Sequence, residues 1–397
     1  MFTNVPKAEL EQRLHAIRSR MNQDCPEWQL LAIFSKINQF YFTGTMQDGV
    51  LLIPRDQPAI YWIRRSLQRA QDESEFDDIR PMHSFRDAAA AMAPLATTVH
   101  LETERVPLAM YQRFNKHFSF TQVDSADFSI SAVRSIKSHY ELQRMEESGK
   151  IHNDILVNKL PPLLHDGMSE ANLGGALYPE MVKEGHHGIA RFSMYDTEIL
   201  LGHICFGESS IYPTSFDGPG GNYGMSPAVP LLGSRQRTLQ HGDLVFVDIG
   251  CGVDGYHTDK TMTYVYKGQL PQSAIDIHKR CIEIQNDTAA LLKPGAIPSQ
   301  IYAQITAKID DQFLAGFMGF GDRQARFLGH GIGLHIDEWP VLAKGFDEPL
   351  QENMVLAIEP KKGIAGIGMV GTENTFVVTP QGGRCITGNH PGLIQVS

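Results

Sequence analysis

The chain has 397 residues and a formal net charge of −10, with 35 Lys and Arg against 45 Asp and Glu. Because the sequence has no basic patch or Lys/Arg-rich tail, this charge argues against nucleic acid or an anionic membrane as the main partner. An apolar signal core and runs of eighteen apolar residues are both missing, so neither a signal peptide nor a membrane anchor is predicted.

Two domains are predicted, because 397 residues exceed what one hydrophobic core usually supports. We place the boundary near Ala132, between an N-terminal domain of residues 1–132 and a C-terminal domain of residues 133–397. An amphipathic helix followed by three apolar runs predicts an N-terminal α/β domain. The predicted helix spans residues 6–21, and the predicted strands span residues 29–34, 49–53 and 59–63. The charged stretch that follows, residues 64–78, is typical of a solvated helix and loop.

The C-terminal domain has a strand-rich centre flanked by pairs of helices, which predicts the α+β class. Ser169 is expected to cap one helix. A segment rich in Gly and Pro, residues 206–234, is expected to form an ordered loop that shapes a substrate pocket. The predicted helices span residues 140–160, 170–184, 273–292 and 299–317, and the predicted strands span residues 199–206, 244–266 and 354–379.

Two candidate metal ligands lie in the run LVFVDIGCGVDGYHTDKTMTYVYKG, residues 244–268. Asp248 is predicted to end an apolar strand and Asp259 to open the next one. The glycines between them, at positions 250, 252 and 255, indicate a turn. The two carboxylates are therefore expected side by side on adjacent antiparallel strands.

Three further candidates lie nearer the C-terminus. His330 lies in FLGHGIGLHIDEWP, where glycines are expected to let the backbone pass close to something bound. Glu359 ends an apolar run before Pro360, and Glu373 opens another run fourteen positions later. Any one of these residues alone would more often cap a turn or face solvent. The five together, Asp248, Asp259, His330, Glu359 and Glu373, predict a site for two divalent ions, since four clustered carboxylates repel one another unless cations neutralise them.

The runs VDIGCGVDGYHTDKTMT, GHGIGL, AIEP and GTENTFVV resemble the metal-binding motifs of the M24 peptidases, the pita-bread family of methionine aminopeptidase, prolidase and aminopeptidase P. The eleven-residue step between the two aspartates and the fourteen-residue step between the two glutamates match as well. Upstream, RSIKSHYELQRMEESGKI and HDGMSEANL resemble the linker and first helices of the catalytic domain, and INQFYFTGTM resembles the N-terminal domain. The resemblance implies a creatinase/prolidase-like α/β domain followed by a pita-bread domain with a curved, pseudo-two-fold antiparallel sheet.

By this resemblance, Asp248 would bind one metal ion, Asp259 and Glu373 would bridge both ions, and His330 and Glu359 would bind the other. Glu359 would also handle the proton of the nucleophilic water, which makes Glu359 and His330 the implied catalytic residues. The ligand set suits Mn, Co, Zn or Fe without distinguishing them. Two-domain relatives also imply a homodimer, in which the N-terminal domain covers the active site of the neighbouring subunit.

The chain departs from the family pattern at two histidines that contact the scissile carbonyl region. Asp337 stands seven positions after His330, where the family has the first of them. The second, in a Pro-His segment before the first metal Asp, has no counterpart here. His203 and His335 are the candidates to substitute, although a two-residue shift along an extended segment moves His335 by several ångströms. Asp337 would favour a cationic or hydrogen-bond-donating substrate group, unless it only caps a turn.

The leading functional hypothesis is a dinuclear metal-dependent hydrolase that cleaves an amide C–N bond, as an Xaa-Pro aminopeptidase or dipeptidase does. The alternative is a creatinase-like or ectoine-hydrolase-like enzyme that acts on a small non-peptide amide. A third possibility is a non-catalytic binding relative, against which the five intact ligands argue. Five cysteines without CxxC spacing predict no disulfide framework and suit the cytoplasm.

Overall fold

The structure is a computed structural model that describes residues 4–92, 96–388, 390 and 392–397. The chain divides into two compact units, Met1–Arg134 and Ser135–Ser397. None of the described helices is long and apolar enough to cross a bilayer.

The first unit contains a six-stranded mixed sheet with helices, which is the α/β domain expected from the sequence. Its helices are α1 (Lys7–Asp24), α2 (Lys36–Thr43), α3 (Leu67–Glu73), α4 (Phe85–Ala91), α5 (Leu108–Phe118) and α6 (Asp127–Ser135). Its strands are β1 (Leu30–Ile33), β2 (Gly49–Pro54), β3 (Ile60–Ile63), β4 (Ile79–Pro81), β5 (Thr98–Leu101) and β6 (Gln122–Ser125).

The sheet of the first unit has the strand order β4-β3-β2-β1-β5-β6. Strand β2 pairs antiparallel with β1 and β3, while the outer strands pair parallel with their neighbours. Apolar side chains of the central strands, including Leu52, Trp62 and Val99, share one buried core with Phe114 of α5.

The second unit contains three sheets and the remaining helices. The helices are α7 (His139–Asp154), α8 (Glu170–Glu184), α9 (Gln272–Ala290), α10 (Pro298–Thr306) and α11 (Asp311–Leu314), with a π-helical turn at Ile155–Lys159 and 3₁₀ turns at Pro161–Leu163 and Gly207–Ile211. The strands are β7 (Gly202–Phe206), β8 (Leu244–Val253), β9 (Tyr256–Tyr266), β10 (Gly319–Phe320), β11 (Arg323–Gln324), β12 (Phe327–Gly331), β13 (Glu338–Ala343), β14 (Val355–Ile358), β15 (Lys361–Ile364), β16 (Gly368–Gly371), β17 (Asn374–Thr379), β18 (Gly382–Cys385) and β19 (Leu393–Val396).

Antiparallel pairing dominates these sheets, as the family resemblance implied. One sheet has the order β19-β9-β8-β7, a second β13-β12-β14-β17-β18 and a third β11-β10-β15-β16. Parallel pairs occur between β19 and β9 and between β10 and β15. A single bridge between Thr261 and Glu373 connects the first sheet to the start of β17. With an α/β domain followed by this strand-rich domain, the α+β prediction is confirmed.

The hairpin that carries the two aspartates differs from the prediction. Asp248 lies in the middle of β8, which continues to Val253, and only Asp254 and Gly255 form the turn, both with positive φ. Asp-Gly is the preferred sequence for such a tight hairpin turn. Gly250 belongs to the strand, where it pairs with Asp259, and its missing side chain leaves room for Ile336, whose Cδ1 would lie 2.3 Å from a Cβ there.

Two predicted helices were too long. The helix predicted at residues 299–317 breaks into α10 and α11, because the Asp310 carboxylate accepts a hydrogen bond from the Phe313 N–H (2.8 Å) and starts a new helix. The helix predicted at residues 140–160 ends at Asp154 and continues as a π turn toward Pro161, whose ring cannot be accommodated in a regular helix. The strand predicted at residues 199–206 begins only at Gly202.

The glycines around His330 were expected to let the backbone pass close to a bound ligand, but they serve another purpose. A Cβ at Gly329 would lie 2.1 Å from the Ala357 carbonyl oxygen, and one at Gly331 would lie 2.4 Å from the Trp339 carbonyl oxygen. These glycines therefore allow close approach of the neighbouring strands β14 and β13 to β12, and the contact involves backbone rather than a ligand.

Candidate metal centre

The two aspartates face the same side of the β8–β9 hairpin. Asp248 pairs with Thr261, and Asp259 pairs with Gly250. Residues that pair directly share a face, and so do residues two apart on one strand, so the carboxylates are diagonal neighbours. Both side chains are buried, each in a residue that is 8% exposed.

The other three candidates come from the sheet that contains β12, β14 and β17. His330 of β12 lies opposite Ala357, and Ile358 of β14 lies opposite Asn374, so Glu359 and Glu373 occupy adjoining ends of this strand pair. The Thr261 N–H donates to the Glu373 carbonyl oxygen (3.3 Å) and brings the aspartate hairpin to the same place. All five candidate ligands are thus gathered in one buried cluster.

The cluster contains two groups of side chains with the geometry to hold an ion. Asp259, His330 and Glu373 form one group, and Asp248, Glu359 and Glu373 form the other. Within each group the potential ligand atoms lie within 4.8 Å of one another. Glu373 belongs to both groups, as its implied bridging role requires. Asp259 belongs only to the group of His330, although the resemblance implied that it bridges both ions. Glu359 belongs to the group of Asp248, although the resemblance placed it with His330.

The group of Asp259, His330 and Glu373 fits a divalent metal ion. The His330 Nδ1–H donates to the Gly331 carbonyl oxygen (3.0 Å), which leaves the Nε2 lone pair available for a metal. Glu373 Oε1 is buried and has no hydrogen-bond partner among the described residues. This atom lies 3.8 Å from His330 Nε2. An unpaired carboxylate oxygen is costly to bury, and a cation would satisfy it.

A residue that the sequence analysis missed lies in the second group. The Lys361 ammonium Nζ donates to Asp248 Oδ2 (2.9 Å), Glu359 Oε2 (2.8 Å) and Glu373 Oε2 (2.6 Å). Lys361 is fully buried. The sequence contains a signal for it, since Lys361 follows Glu359 by two positions, and an extended chain places such residues on the same side.

Burial and the repulsion between neighbouring carboxylates shift the pKa values of the cluster. Burial, together with Glu359, raises the pKa of Glu373 to about 8, and burial with Glu373 and Asp248 raises the pKa of Asp259 well above its ordinary value. Burial would also raise the pKa of Asp248, but the nearby Lys361 ammonium holds it below the ordinary value. Burial disfavours the Lys361 ammonium itself, yet the three carboxylates outweigh this effect and raise its pKa well above the ordinary value. A cation beside Asp259 and Glu373 would favour their ionised forms.

The three candidate substrate-binding residues lie in different surroundings. His203 pairs with Asp248 across β7 and β8, and its ring contacts the Phe216 ring, with centroids 4.9 Å apart. Burial lowers the pKa of His203 to about 4, so the ring is neutral near pH 7. His335 Nδ1 lies 3.6 Å from Glu338 Oε1. His335 therefore lies next to the Glu338 carboxylate.

Asp337 interacts electrostatically with His330 and with Asp217. Burial is the largest effect and Asp217 adds to it, so the pKa of Asp337 is raised to about 6 although the His330 ring opposes the shift. Asp217 comes from the Gly- and Pro-rich loop, and Arg323 holds this loop by donating to the Gly220 carbonyl oxygen (2.9 Å) and to that of Phe216. The loop therefore contributes a second carboxylate that interacts with Asp337.

A mostly apolar pocket adjoins the cluster. Asp248 and Asp259 line it together with His203. Its apolar lining includes Phe192, Leu201, Phe216, Leu231 and Ile336. The pocket is small, with a volume of about 30 Å³, and its apolar lining borders the two carboxylates.

Sequence comparison agrees with this geometry. The profile of metallopeptidase family M24 matches residues 143–380, which is more than half of the chain. The chain belongs to metallopeptidase family M24. The profile of the creatinase/prolidase N-terminal domain matches residues 13–136, so the predicted N-terminal domain type is confirmed. Divalent metal ions are the cofactors of the M24 metallopeptidases.

Relatives of this M24 member cover almost its full length. A Xaa-Pro dipeptidase from Pyrococcus furiosus is 24% identical over 95% of this chain and 98% of its own length. A putative dipeptidase from Bacillus subtilis, YkvY, is 25% identical over 89% of this chain and 92% of its own length. The crystal structure of the prolidase from Pyrococcus horikoshii OT3 has the same fold, with a TM-score of 0.76, 21% identity and coverage of 96% of this chain and 99% of that chain.

Proposed function

We propose that this protein is a metal-dependent hydrolase that cleaves the amide C–N bond of a small Xaa-Pro peptide. The observation that carries the proposal is the buried group of Asp259, His330 and Glu373 beside Glu359. The relatives from Pyrococcus furiosus and Pyrococcus horikoshii named Xaa-Pro dipeptidases support the substrate class.

In this mechanism Asp259, His330 and Glu373 would hold a divalent ion, either Mn, Co, Zn or Fe. A bound ion of this kind lowers the pKa of water and polarises the carbonyl under attack. Glu359 Oε1 lies 3.5 Å from His330 Nε2, at the edge of this group, while Lys361 holds Glu359 Oε2. Glu359 is therefore placed to take a proton from the nucleophilic water and to pass it to the leaving nitrogen. The apolar pocket beside Asp248 and Asp259 would border the substrate.

The test is the turnover of Ala-Pro and other Xaa-Pro peptides by protein equilibrated with each of the four metals, with the metal content measured. Asp259→Ala is the blank, because it removes a ligand. Asp254→Asn is the matched control, since it changes an aspartate of the same hairpin at its turn and Asn tolerates the positive φ there. Cleavage by wild type and the control but not by the blank supports the proposal. No cleavage of these peptides by metal-loaded wild type would refute the peptidase activity.

A second candidate is the hydrolysis of a small non-peptide amide, as in creatinase-like or ectoine-hydrolase-like enzymes. The Asp337 carboxylate favours it, because it would bind a cationic group where the peptidases carry a histidine. Asp337→His should raise turnover of Xaa-Pro peptides if the site is a modified peptidase. No gain in a folded variant, with turnover of creatine or ectoine analogues by wild type, would favour the second candidate.

We also propose a cytoplasmic homodimer. All five cysteines are free thiols, which suits a reducing compartment. The N-terminal domain type is the one that implied dimerisation in the family resemblance. Light scattering coupled to size-exclusion chromatography should give twice the chain mass of 44.2 kDa. The mass of a single chain would refute the dimer.

A further inference from the structure

The side chain of Lys361 lies where one of the two potential ions would be expected. Its Nζ is within 2.6–2.9 Å of one oxygen each from Asp248, Glu359 and Glu373. These are the three members of the second group that could hold an ion. The ammonium therefore already fills the centre of that group with a positive charge.

A metal ion bound by the same three carboxylates would compete with this ammonium for space. Carboxylate oxygens bind Zn²⁺ at about 2.0–2.2 Å. An ion at that distance from the three oxygens that contact Nζ would be in steric contact with Nζ. Two cations so close together repel strongly in a buried site. The second group thus does not fit a divalent ion while Lys361 keeps its position.

The surroundings of Lys361 hold it in that position. Lys361 opens β15 and pairs with Gly371 of β16. A Cβ at Gly371 would lie 2.6 Å from Lys361 Cα and 3.1 Å from its Cγ, so the glycine leaves the space that the lysine stem needs. The Nζ also lies 6.0 Å from the centre of the Phe246 ring. Moving the charge elsewhere would break three charge-assisted hydrogen bonds in a fully buried site, which is costly.

The other group remains open to an ion. Lys361 contacts only Oε2 of Glu373, and Oε1 stays without a hydrogen-bond partner among the described residues. His330 Nε2 and an oxygen of Asp259 belong to the same group as a Glu373 oxygen. The two oxygens of Glu373 are thus divided between a fixed cation and an open site.

We propose that this chain binds one divalent ion, at Asp259, His330 and Glu373, and that the Lys361 ammonium replaces the second ion of the dinuclear arrangement. The proposal rests on the metal centre of the proposed function and changes its predicted composition from two ions to one. Asp248 and Glu359 then act as partners of Lys361, and Glu359 remains free to handle protons at Oε1.

The experiment measures the number of ions rather than turnover. Three full-length proteins are compared: wild type, Lys361→Ala and Lys362→Ala. Each is equilibrated with excess Mn²⁺ and then freed of unbound metal. The number of Mn ions per chain is measured, and electron paramagnetic resonance shows whether the bound ions are isolated or spin-coupled. Lys362 is the matched control, because it is the adjacent lysine and its Nζ donates instead to the carbonyl oxygens of Phe313 (2.7 Å) and Ala315. We expect one isolated Mn²⁺ in wild type and Lys362→Ala, and two spin-coupled ions in Lys361→Ala.

Two ions, or none, in the wild-type chain would overturn the proposal, whether or not the alanine variant folds. A folded Lys361→Ala that still binds a single ion would overturn the claim that the lysine excludes the second ion. The number of bound ions tests this proposal independently of the proposed peptidase activity. A chain with one ion and no turnover of Xaa-Pro peptides would refute only the peptidase activity, and a chain with two ions and turnover would refute only the replacement by Lys361.

Discussion

At the scale of single residues, Glu373 is the most connected member of the cluster. Its Oε2 accepts hydrogen bonds from Lys361 (2.6 Å) and from the Thr261 hydroxyl (2.9 Å), and its Oε1 faces the group of His330 and Asp259. In the proposed one-ion site, one oxygen would bind the metal ion while the other accepts from the Lys361 ammonium. A change at this residue should disturb both.

We predict that Glu373→Gln weakens metal binding and lowers metal-dependent turnover by at least about 100-fold, because a neutral amide is a poor metal ligand and even indirect ligand partners change affinity 10- to 100-fold. Isothermal titration with Mn²⁺ and steady-state kinetics measure the two effects. Glu352→Gln, an exposed glutamate in the loop before β14, is the control and should behave as wild type. Equal metal affinity in the Glu373 and Glu352 variants would contradict the assigned role.

At the scale of elements, the segment before β7 contacts the aspartate hairpin through His187. The Gly255 N–H donates to His187 Nδ1 (3.0 Å), so Nε2 carries the hydrogen and donates to the Ile189 carbonyl oxygen (2.8 Å). Burial, together with neighbouring His186, lowers the pKa of His187 to about 4. A second proton on Nδ1 would point at an N–H donor, which explains why the neutral ring is preferred.

This environment predicts a pH-dependent stability. An unfolded histidine has a pKa of about 6.5. Between pH 6.5 and about 4 the unfolded chain therefore binds the proton and the folded chain does not. The free energy of unfolding should fall as the pH drops through this window, and His187→Gln should make the fall shallower. Urea unfolding at several pH values measures both slopes, and identical slopes would contradict the role of His187.

The β15–β16 hairpin positions Lys361, and Gly371 is a point of close approach in it. Gly371 has φ +133°, and a Cβ there would lie 2.4 Å from the Pro360 carbonyl oxygen. We predict that Gly371→Ala lowers the free energy of unfolding by at least about 2 kcal/mol, since it combines backbone strain with a steric clash. Urea denaturation measures the change.

Gly366→Ala is the control for that substitution. Gly366 lies in the turn of the same hairpin with φ +74°, and a Cβ there meets nothing within 4 Å. Its substitution should cost about 1 kcal/mol, which is the strain of the left-handed conformation alone. Equal losses in the two variants would show that the close approach to the strand of Lys361 contributes nothing.

At the scale of the whole molecule, each of the two units has buried cores of its own. In the first unit, the ring of Phe114 contacts those of Phe34, Phe85, Phe118 and Phe120, with centroids 4.4–5.5 Å apart. A core of this kind is typical of a domain that folds by itself.

We therefore predict that a fragment of residues 1–134 folds alone. It should show helix and strand signals in far-ultraviolet circular dichroism and unfold cooperatively in urea. Phe114→Ala in the same fragment should lower its unfolding free energy by about 3–5 kcal/mol, as expected for a fully buried phenylalanine. A spectrum of random coil from the unsubstituted fragment would contradict the prediction.

Much of the architecture was predictable because local patterns suffice for it. Alternating apolar runs identified β1–β3 to within a residue or two at each end, and a capping serine placed the start of α8 at Glu170. Boundaries failed where a contact overrides the pattern, as at Asp310, which restarts a helix, and at Gly250, which pairs with Asp259 inside the β8–β9 ladder. Spacing along the chain also identified the family, since its motifs are contiguous in sequence.

The composition of the metal cluster was decided only by the tertiary structure. Motif spacing identifies which residues can be ligands, but the register of β8 with β9 and the bridge from Thr261 to Glu373 determine which of them share a site. The position of Lys361 depends on both sheets at once, because its three partners come from β8, the end of β14 and the start of β17. The two-residue spacing indicates that Lys361 and Glu359 lie on one side of the chain, but the contacts of Lys361 with Asp248 and Glu373, 113 and 12 positions away, form only when the chain is folded.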